Sequence, residues 1–386
     1  MVTRGEGEIH LPLNISRNER RQPMEKGLRV IASCFTNQCN LCCQHCGSKN
    51  QNKSPEQELA ASFLLDVLNQ GREMGARQVN LTGGEVFVRP DCFELIEGAL
   101  DLGYYVSIES NGTLLDRGLI ERLASYREDE MRLSVSLDGY SPESNDSIRG
   151  MGSFDKTMTA LGLLSKTNIP TRVITVLHEG NLHEIPEMAT AIADHYGMGY
   201  RLIPSIMEYG RGVYACHQIG ANSEQIDKVL SGFFYQFLID HHDDRHSVEL
   251  NPALVPIEVD YHHVCPWGLS MIGVGPTGLA GLCHVGINDD RFVAGDLTCE
   301  SLQEIWDNSL VLQRFKSLSG DQLKGVCGNC LAREMCRGGC RVHAISKYGD
   351  FLAPSPQCQA VYNLGRFPEY ALEIDGMDCS YEPEEE

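Results

Sequence analysis

Cys39-Asn40-Leu41-Cys42-Cys43-Gln44-His45-Cys46 is the stretch that decides the fold, together with the strand-like residues 28–32 before it and Gly47 after it. Cys39, Cys43 and Cys46 stand at Cys-x3-Cys-x2-Cys spacing just past a segment that delivers them as one loop. Three thiolates can therefore converge on one site. A structural zinc ion takes four closed ligands. A four-iron cube held by three cysteines keeps one iron without a protein ligand, and a small molecule can bind there. The loop reads as a cluster site with an open corner.

Outward from the loop, strand and helix signals alternate. Ser54, Pro55 and Gln57 form a helix-start signature ahead of an amphipathic run over residues 59–74. Residues 78–82 read as the next strand and run into Gly83-Gly84-Glu85. Helices are expected at 91–102, 116–124, 154–166 and 182–195, and strands at 104–109, 131–137, 171–177 and 200–204, with a turn at Asn111-Gly112. Six strands separated by helices imply an α/β fold with parallel pairing through right-handed crossovers. Functional residues are then expected at the carboxyl ends of the strands.

The 386 residues suffice for two domains, and 42% hydrophobic with 22% charged residues suits a globular chain with a sizeable core. A net charge of -21 without a basic cluster argues against nucleic acid as a partner. Residues 1–26 lack the apolar stretch of a secretory signal, and no window reaches the ~18 apolar residues of a membrane span. A cytoplasmic protein is expected. In that compartment sixteen cysteines point to metal or cluster ligation rather than disulfides. Near Gly210-Arg211-Gly212 the alternation stops. A helix over 221–242 leads into His241-His242-Asp243-Asp244-Arg245-His246, read as a solvated boundary loop with a metal site as the alternative. Beyond Cys265 the chain is turn-rich apart from a helix over 301–315, so ligation has to organise it.

Cys327, Cys330, Cys336 and Cys340 follow Cys-x2-Cys-x5-Cys-x3-Cys, with Cys265 and Cys283 before them and Cys358 after. Seven thiols exceed the needs of one tetrahedral metal and imply two sites that share loops. Zinc suits the 327–340 block taken alone as well as iron–sulfur does; the cluster-type loop at the front of the same chain favours iron–sulfur. With Gly83-Gly84-Glu85, Ser136-Leu137-Asp138-Gly139 and the seven cysteines in order, residues 28–365 resemble radical S-adenosylmethionine (SAM) enzymes with a SPASM extension. The resemblance implies a partial (β/α)6 TIM-like barrel at 28–220, a linker helix and loop at 221–264, and a loop-rich, cysteine-ligated SPASM domain at 265–370. An extension at 1–27 and an acidic tail at 371–386 flank them. The implied cofactors are SAM and three [4Fe-4S] clusters, one that binds SAM and two auxiliary.

By the same resemblance Cys39, Cys43 and Cys46 hold the first cluster, and His45 stands where the family has an aromatic residue near the adenine. Gly83 and Gly84 allow close approach of the cofactor, and Glu85 accepts a hydrogen bond from the methionine ammonium. Ser136 and Asp138 complete the pocket, and Arg149 pairs with the cofactor carboxylate or forms a surface ion pair. Cys265, Cys283 and Cys340 go to the first auxiliary cluster, and Cys327, Cys330, Cys336 and Cys358 to the second. Relatives with a fully ligated first auxiliary cluster have a cysteine where this chain has Val259, so an open iron is implied there. His262, His263, Cys216, solvent or a substrate group are candidates to fill it. Cys34, Cys42, Cys92, Cys216, Cys299 and Cys379 remain, mostly as small buried hydrophobes; Cys216 is the candidate hydrogen-atom donor.

The function implied is hydrogen abstraction from a peptide by a 5'-deoxyadenosyl radical, in the maturation of a ribosomally made natural product. Crosslinking through a thioether or carbon–carbon bond and epimerisation are the candidate outcomes. Alternatives are radical chemistry on a small molecule, such as an antibiotic sugar or a tetrapyrrole, or sulfatase maturation. The last is disfavoured because those relatives carry an aspartate where this chain has His284. A non-catalytic electron-transfer protein is the reading from another class. Expected partners are a peptide or small-molecule substrate and a flavodoxin or ferredoxin reductant. Leader recognition is expected to fall to a separate leader-peptide-binding protein or to the barrel surface, since 27 residues are too few for a leader-binding domain.

Overall fold

A computed structural model of the protein describes residues 27–47, 58–241, 243, 245–256, 265–374 and 377–383. The expected extension up to residue 26, the helix-start signature at Ser54-Pro55-Gln57, and Val259, His262 and His263 lie outside the described residues. In order, the first half comprises β1 (Val30–Thr36), α1 (Ala61–Glu73), β2 (Gln78–Gly83), α2 (Cys92–Asp101), β3 (Tyr105–Ser110), α3 (Arg117–Leu123), β4 (Met131–Ser136), α4 (Pro142–Arg149), α5 (Ser153–Leu164), β5 (Thr171–Val176), α6 (Ile185–Thr190) and β6 (Gly199–Ile203). These are the six expected strands, with one helix that was not expected, α4. Its start is nonetheless written locally: the Ser141 side chain caps the Ser144 N–H, and Pro142 takes the first turn, where its missing N–H costs nothing. Gly150, at φ 113°, ends it.

After β6 come α7 (Gly212–Gln218), α8 (Ser223–Val229), α9 (Tyr235–Asp240) and β7 (Ser247–Val248). The C-terminal half adds β8 (Met271–Val274), β9 (Leu279–Gly281), β10 (Val293–Asp296) and α10 to α15, at Leu302–Asn308, Leu310–Ser317, Gly325–Gly328, Arg333–Cys336, Arg341–Tyr348 and Pro356–Asn363. All strands join one sheet in the order β10-β9-β8-β1-β2-β3-β4-β5-β6-β7. β1 to β7 pair in parallel, forming the partial TIM-like barrel, and β8 extends it by pairing in parallel with β1. The cysteine-rich half is thus hydrogen-bonded directly onto the strand that feeds the front loop.

Register separates the two faces of this sheet, because successive side chains of a strand point to opposite sides. On one face Ile31 is level with Val79, Val79 with Val106, Leu81 with Ile108 and Val135 with Val173; all are buried against the helical layer. The helices answer with their own apolar stripe, as in α1, where Ala61, Leu64, Val67, Leu68 and Gly71 are the buried positions. The inner face is different. It carries Cys34 level with Thr82, Glu109 with Ser134, Ser134 with Arg172, and Ile174 with Arg201. Barrel interiors are ordinarily packed with branched apolar side chains; this one is polar. Among the described residues no helix is long and apolar enough to cross a membrane.

Candidate active site

The front loop is clamped from four directions. From β2, the Gly84 N–H donates to the Thr36 carbonyl at 2.8 Å and the Glu85 N–H to the Gln38 carbonyl at 2.8 Å. A Cβ on Gly83 would lie 2.5 Å from the Thr36 carbonyl oxygen, and one on Gly84 would run into the Gln38 carbonyl. The two glycines therefore serve a close approach by the loop's own backbone. From β3, the Asn111 side chain donates to Asn40 Oδ1 at 2.9 Å and faces Cys39 Sγ at 3.9 Å. From α4, the Ile148 carbonyl accepts from the Gln44 N–H at 2.9 Å, and the Ser147 carbonyl from Gln44 Nε2 at 2.5 Å. From the far side, Arg211 donates from Nε to the Cys43 carbonyl at 2.8 Å and from its backbone N–H to the Cys46 carbonyl at 3.0 Å.

Beneath the loop, Asp138, Arg149 and His45 meet. Asp138 Oδ2 is 2.6 Å from Arg149 Nε and 3.3 Å from His45 Nε2, while its Oδ1 accepts from the Val176 N–H at 2.7 Å. Burial pushes the Asp138 carboxyl up, but the Arg149 and His45 charges more than offset this and hold it below the usual carboxylate range. Burial drives the His45 imidazole down to about 4, so the ring is neutral at pH 7. Arg149 is thus paired inside the protein and not on its surface. His45 Nδ1 is buried with no hydrogen-bond partner among the described residues, while Asp138 Oδ2 and Arg149 Nε hold each other. A spare ring nitrogen and a buried ion pair beside three thiols suit a polar cofactor. Burial also pushes the Cys43 thiol up to about 11 against the pull of Arg149, so it stays protonated at pH 7 unless a bound metal takes the thiolate and the proton leaves to solvent.

Glu85 is fully buried, and both of its oxygens are engaged. Oε1 accepts from Ser110 Oγ at 2.8 Å and the Phe87 N–H at 3.3 Å, and Oε2 from the Asn111 N–H at 2.7 Å. The carboxylate ties the end of β2 to the end of β3. Ser136 sits half-buried at the end of β4, level with Ile174 of β5.

In the C-terminal half the cysteines fall into two groups. The Cys265 thiol is pushed well up by burial and then by the charges of Cys340 and Cys283, and Cys283 is pushed up to about 12 by burial and Cys340. These three feel one another. Glu249, 2.6 Å from Arg201, acts on Cys265, Cys340 and His284. The His284 ring lies against Trp267 at 5.5 Å, and its Nδ1 is buried with no hydrogen-bond partner among the described residues. Gly273 of β8 makes room for this loop, since a Cβ there would lie 2.6 Å from the Cys283 carbonyl carbon.

Cys327, Cys330, Cys336 and Cys358 line a single small cavity with Asn251 and Arg333. The Ser355 N–H donates to Cys327 Sγ at 3.2 Å, the Ala332 N–H to Cys330 Sγ at 3.4 Å and Asn251 Nδ2 to Cys358 Sγ at 3.4 Å. Among the described residues no three His, Cys, Asp or Glu side chains converge on a point that would hold a single metal ion. The four thiols line one shared space instead.

Cys216 lies on α7, half-buried, donating to the Val213 carbonyl at 3.2 Å and feeling the charges of Glu208 and Lys347. His241 stacks on Phe237 at 4.3 Å and lies 5.1 Å from His246, so the boundary string contributes an aromatic cluster. Asn111, Arg211 and Asn251 are site residues that the sequence reading missed. Arg211 stood in a flagged loop, and Asn111 in a flagged turn; nothing local marked Asn251.

The radical SAM superfamily profile matches residues 33–192, and that of the SPASM iron-sulfur cluster-binding domain matches residues 265–331. The mycofactocin maturase MftC of Mycobacterium tuberculosis is 30% identical over 340 residues, 84% of this chain and 81% of that protein. An AdoMet-dependent heme synthase of Methanosarcina barkeri is 28% identical over 365 residues, 89% of this chain and 99% of that protein. Streptococcus suis SuiB, solved bound to its precursor peptide SuiA, shares the fold at a TM-score of 0.68 and 15% identity, over 88% of this chain and 78% of that one. The chain belongs to the radical SAM superfamily, in its SPASM-bearing branch, and is an enzyme that uses SAM and iron–sulfur clusters.

Proposed function

We propose that this enzyme takes a hydrogen atom from a peptide residue held at the polar inner face of the barrel, between the front loop and the Cys265, Cys283 and Cys340 group. The observation that carries this reading is the inner face itself, where Glu109, Ser134, Arg172, Arg201 and Glu249 stand in place of apolar filling. The peptide is supported by the maturase MftC and by SuiB with its precursor peptide.

Cys39, Cys43 and Cys46 would hold the first cluster, and SAM bound there would supply the radical chemistry that takes the hydrogen atom. Arg149 meets the cofactor carboxylate, and His45 packs against the adenine. Asp138 fixes both of these side chains, and Ser136 lines the pocket. Gly83 and Gly84 let the loop close down, and Glu85 braces the ends of β2 and β3 around it. The clamps keep water away from the reacting centre. Cys265, Cys283 and Cys340 hold a first auxiliary cluster with an open iron, and Cys327, Cys330, Cys336 and Cys358 a closed second one. A flavodoxin or ferredoxin supplies the electron.

The test is anaerobic turnover of the reconstituted protein with SAM, a reductant and the short precursor peptide encoded beside its gene. Expected are 5'-deoxyadenosine and a peptide lighter by two hydrogens, for a crosslink, or of unchanged mass with one inverted residue. Replacing Cys39, Cys43 and Cys46 together by Ala removes about four of about twelve irons and abolishes 5'-deoxyadenosine. A fully iron-loaded protein that releases none sinks the reading. The heme synthase relative and the inner-face arginines Arg132, Arg172 and Arg201, suited to carboxylates, favour a second reading. It is a tetrapyrrole whose propionate groups lose carbon dioxide, tested by the same assay with that substrate.

A further inference from the structure

Arg201 meets Glu249 at 2.6 Å and Arg149 meets Asp138 at 2.6 Å, each guanidinium with a carboxylate of its own. Arg132 has none among the described residues. It stands on β4, level with Ser107 of β3, and its Nη2 donates to the Ser107 hydroxyl at 3.3 Å. Its Nε is buried with no hydrogen-bond partner among the described residues. The inner-face carboxylate of the neighbouring strand is engaged elsewhere: Glu109, two residues above Ser107, takes the Thr82 hydroxyl at 3.1 Å. Two residues along β4 from Arg132, and so on the same face, is Ser134. It is 1% exposed, and its Oγ also has no partner among the described residues. Ser134 is level with Arg172 of β5, a second buried guanidinium. A guanidinium only donates, and a buried donor left without an acceptor is costly. Unfilled polar atoms at adjoining positions of one face, between two arginines, call for an acceptor from outside the chain.

We propose that Arg132, Ser134 and Arg172 form a carboxylate-binding site on the floor of the barrel, which anchors the substrate peptide by an acidic group that does not itself react. The proposal rests on the reading of the inner face as the peptide's place. Arg132 suits a carboxylate because its Nε–H and one Nη–H form a planar fork that two oxygens can fill, and the Ser134 hydroxyl adds a further donor. Depth separates the anchor from the reaction. Arg132 and Arg172 are each the second residue of their strand, at the end of the barrel away from the front loop. With a rise of about 3.3 Å per residue, Ser134 lies about 7 Å and Arg132 about 13 Å from Ser136, at the end of β4 on the front-loop side. An extended peptide covers that span in about two to four residues. The carboxylate is then the peptide's own C-terminus or an Asp or Glu side chain a few residues from the carbon that loses hydrogen. It sets which residue along the peptide is presented. A net charge of -21 repels acidic peptides at long range, so a donor-rich site inside the barrel selects what the overall field does not attract.

The test is binding, which needs no turnover. The full chain, reconstituted with iron and sulfide and loaded with SAM, is titrated anaerobically with the precursor peptide encoded beside its gene, synthesised with a fluorophore at its amino end. Three versions are compared: the natural acid, its C-terminal amide, and the acid with its Asp and Glu residues replaced by Asn and Gln. Expected is a loss of affinity of about ten- to a hundredfold for one of the two altered peptides, the range of a charge-assisted contact. The amide identifies the C-terminus as the anchor, and the other peptide identifies a side chain. In Arg132→Gln the natural peptide weakens by the same factor and the altered one weakens no further, as expected of two groups that act on each other. Arg132→Lys restores part of the affinity, since the charge returns without the fork. Equal affinity for all three peptides would overturn the site. So would an Arg132→Gln protein that weakens all three alike, which is what a distorted barrel does. Binding of a porphyrin through its propionates, dependent on Arg132 and lost on esterification, in a protein that binds no peptide overturns the peptide as the ligand and gives the site to the second reading. These affinities do not depend on SAM cleavage, so a protein that releases no 5'-deoxyadenosine fails the radical reading alone.

Discussion

The two cysteine groups of the C-terminal half are built on opposite plans. Cys327, Cys330, Cys336 and Cys358 surround one cavity, and amide donors from Ser355, Ala332 and Asn251 meet three of the sulfurs. Cys265, Cys283 and Cys340 are three, and share their surroundings with Glu249 and with His284, whose Nδ1 is unsatisfied. The front loop follows the second plan, with three thiols above the Asp138–Arg149 pair and His45, whose Nδ1 is unsatisfied. Amide donors do not separate the groups: the Gly286 and His343 N–H groups meet the Cys283 and Cys340 sulfurs at 3.2 and 3.4 Å, and the Leu41 N–H meets Cys39 at 3.4 Å. What separates them is the number of thiols and an imidazole nitrogen left over beside each group of three. On the reading proposed above, four thiols seal a site, and three leave it open at a place where something else binds.

The largest expected effect breaks the sealed plan. Cys358→Ala removes one of the four thiols lining that cavity, in a region of short helices and turns that the proposed ligation would organise. About four of about twelve irons are lost, and thermal unfolding of the holoprotein moves down by many degrees. Cys283→Ala removes a similar amount of iron, but β8 and β9 still pair with the barrel, so unfolding shifts much less. Equal shifts for the two variants would erase the distinction drawn between the groups.

The second prediction sharpens the open plan at the front. Asp138→Asn keeps the shape and the acceptor for the Val176 N–H but leaves the Arg149 guanidinium buried without its counter-charge. Breaking a buried pair from one side costs about 3–5 kcal/mol, because the remaining ion stays desolvated. That loss is expected in denaturant unfolding. SAM binding should weaken along with it, seen as a smaller SAM-induced change in the EPR spectrum of the reduced cluster. Unfolding unchanged within ~0.5 kcal/mol would mean that the Asp138–Arg149 contact holds nothing in place.

How much of this was legible in the sequence depends on range. The strand–helix alternation and the glycine pair are local patterns, and each stands where its spacing put it. Helix α4 was also written locally, in Ser141 and Pro142, and was passed over because its buried face is itself polar, with Ser144, Asn145 and Arg149 beside Ile148, so no apolar period marks it. What was not legible comes from partners far apart in the chain. Arg211 reaches the Cys43 carbonyl across 168 positions, and Cys34 reaches the His284 carbonyl across 250. Cys34 read as a small hydrophobe because no local pattern shows which loop will close over a strand. Gly84 carried the right signal, a close approach, with an unreadable partner: the approaching atom is the chain's own Gln38 carbonyl.

The smallest expected effect tests whether the sealed group is tuned as well as closed. Asn251 belongs to neither cysteine loop, yet its Nδ2 donates to Cys358 Sγ at 3.4 Å and to Ser355 Oγ at 2.8 Å, while Cys336 Sγ lies 3.8 Å from its Oδ1. An amide donor to a ligand sulfur stabilises the charge added when a cluster is reduced, so removing it makes reduction harder. A hydrogen bond is worth ~1 kcal/mol net, and 59 mV corresponds to a tenfold change for one electron, so Asn251→Ala should lower one potential by on the order of 50 mV. Redox titration followed by EPR resolves the clusters, and only the second auxiliary one should move. A shift in the first auxiliary cluster instead would mean that the two groups share their polar surroundings, and that the sealed and open plans are not independent.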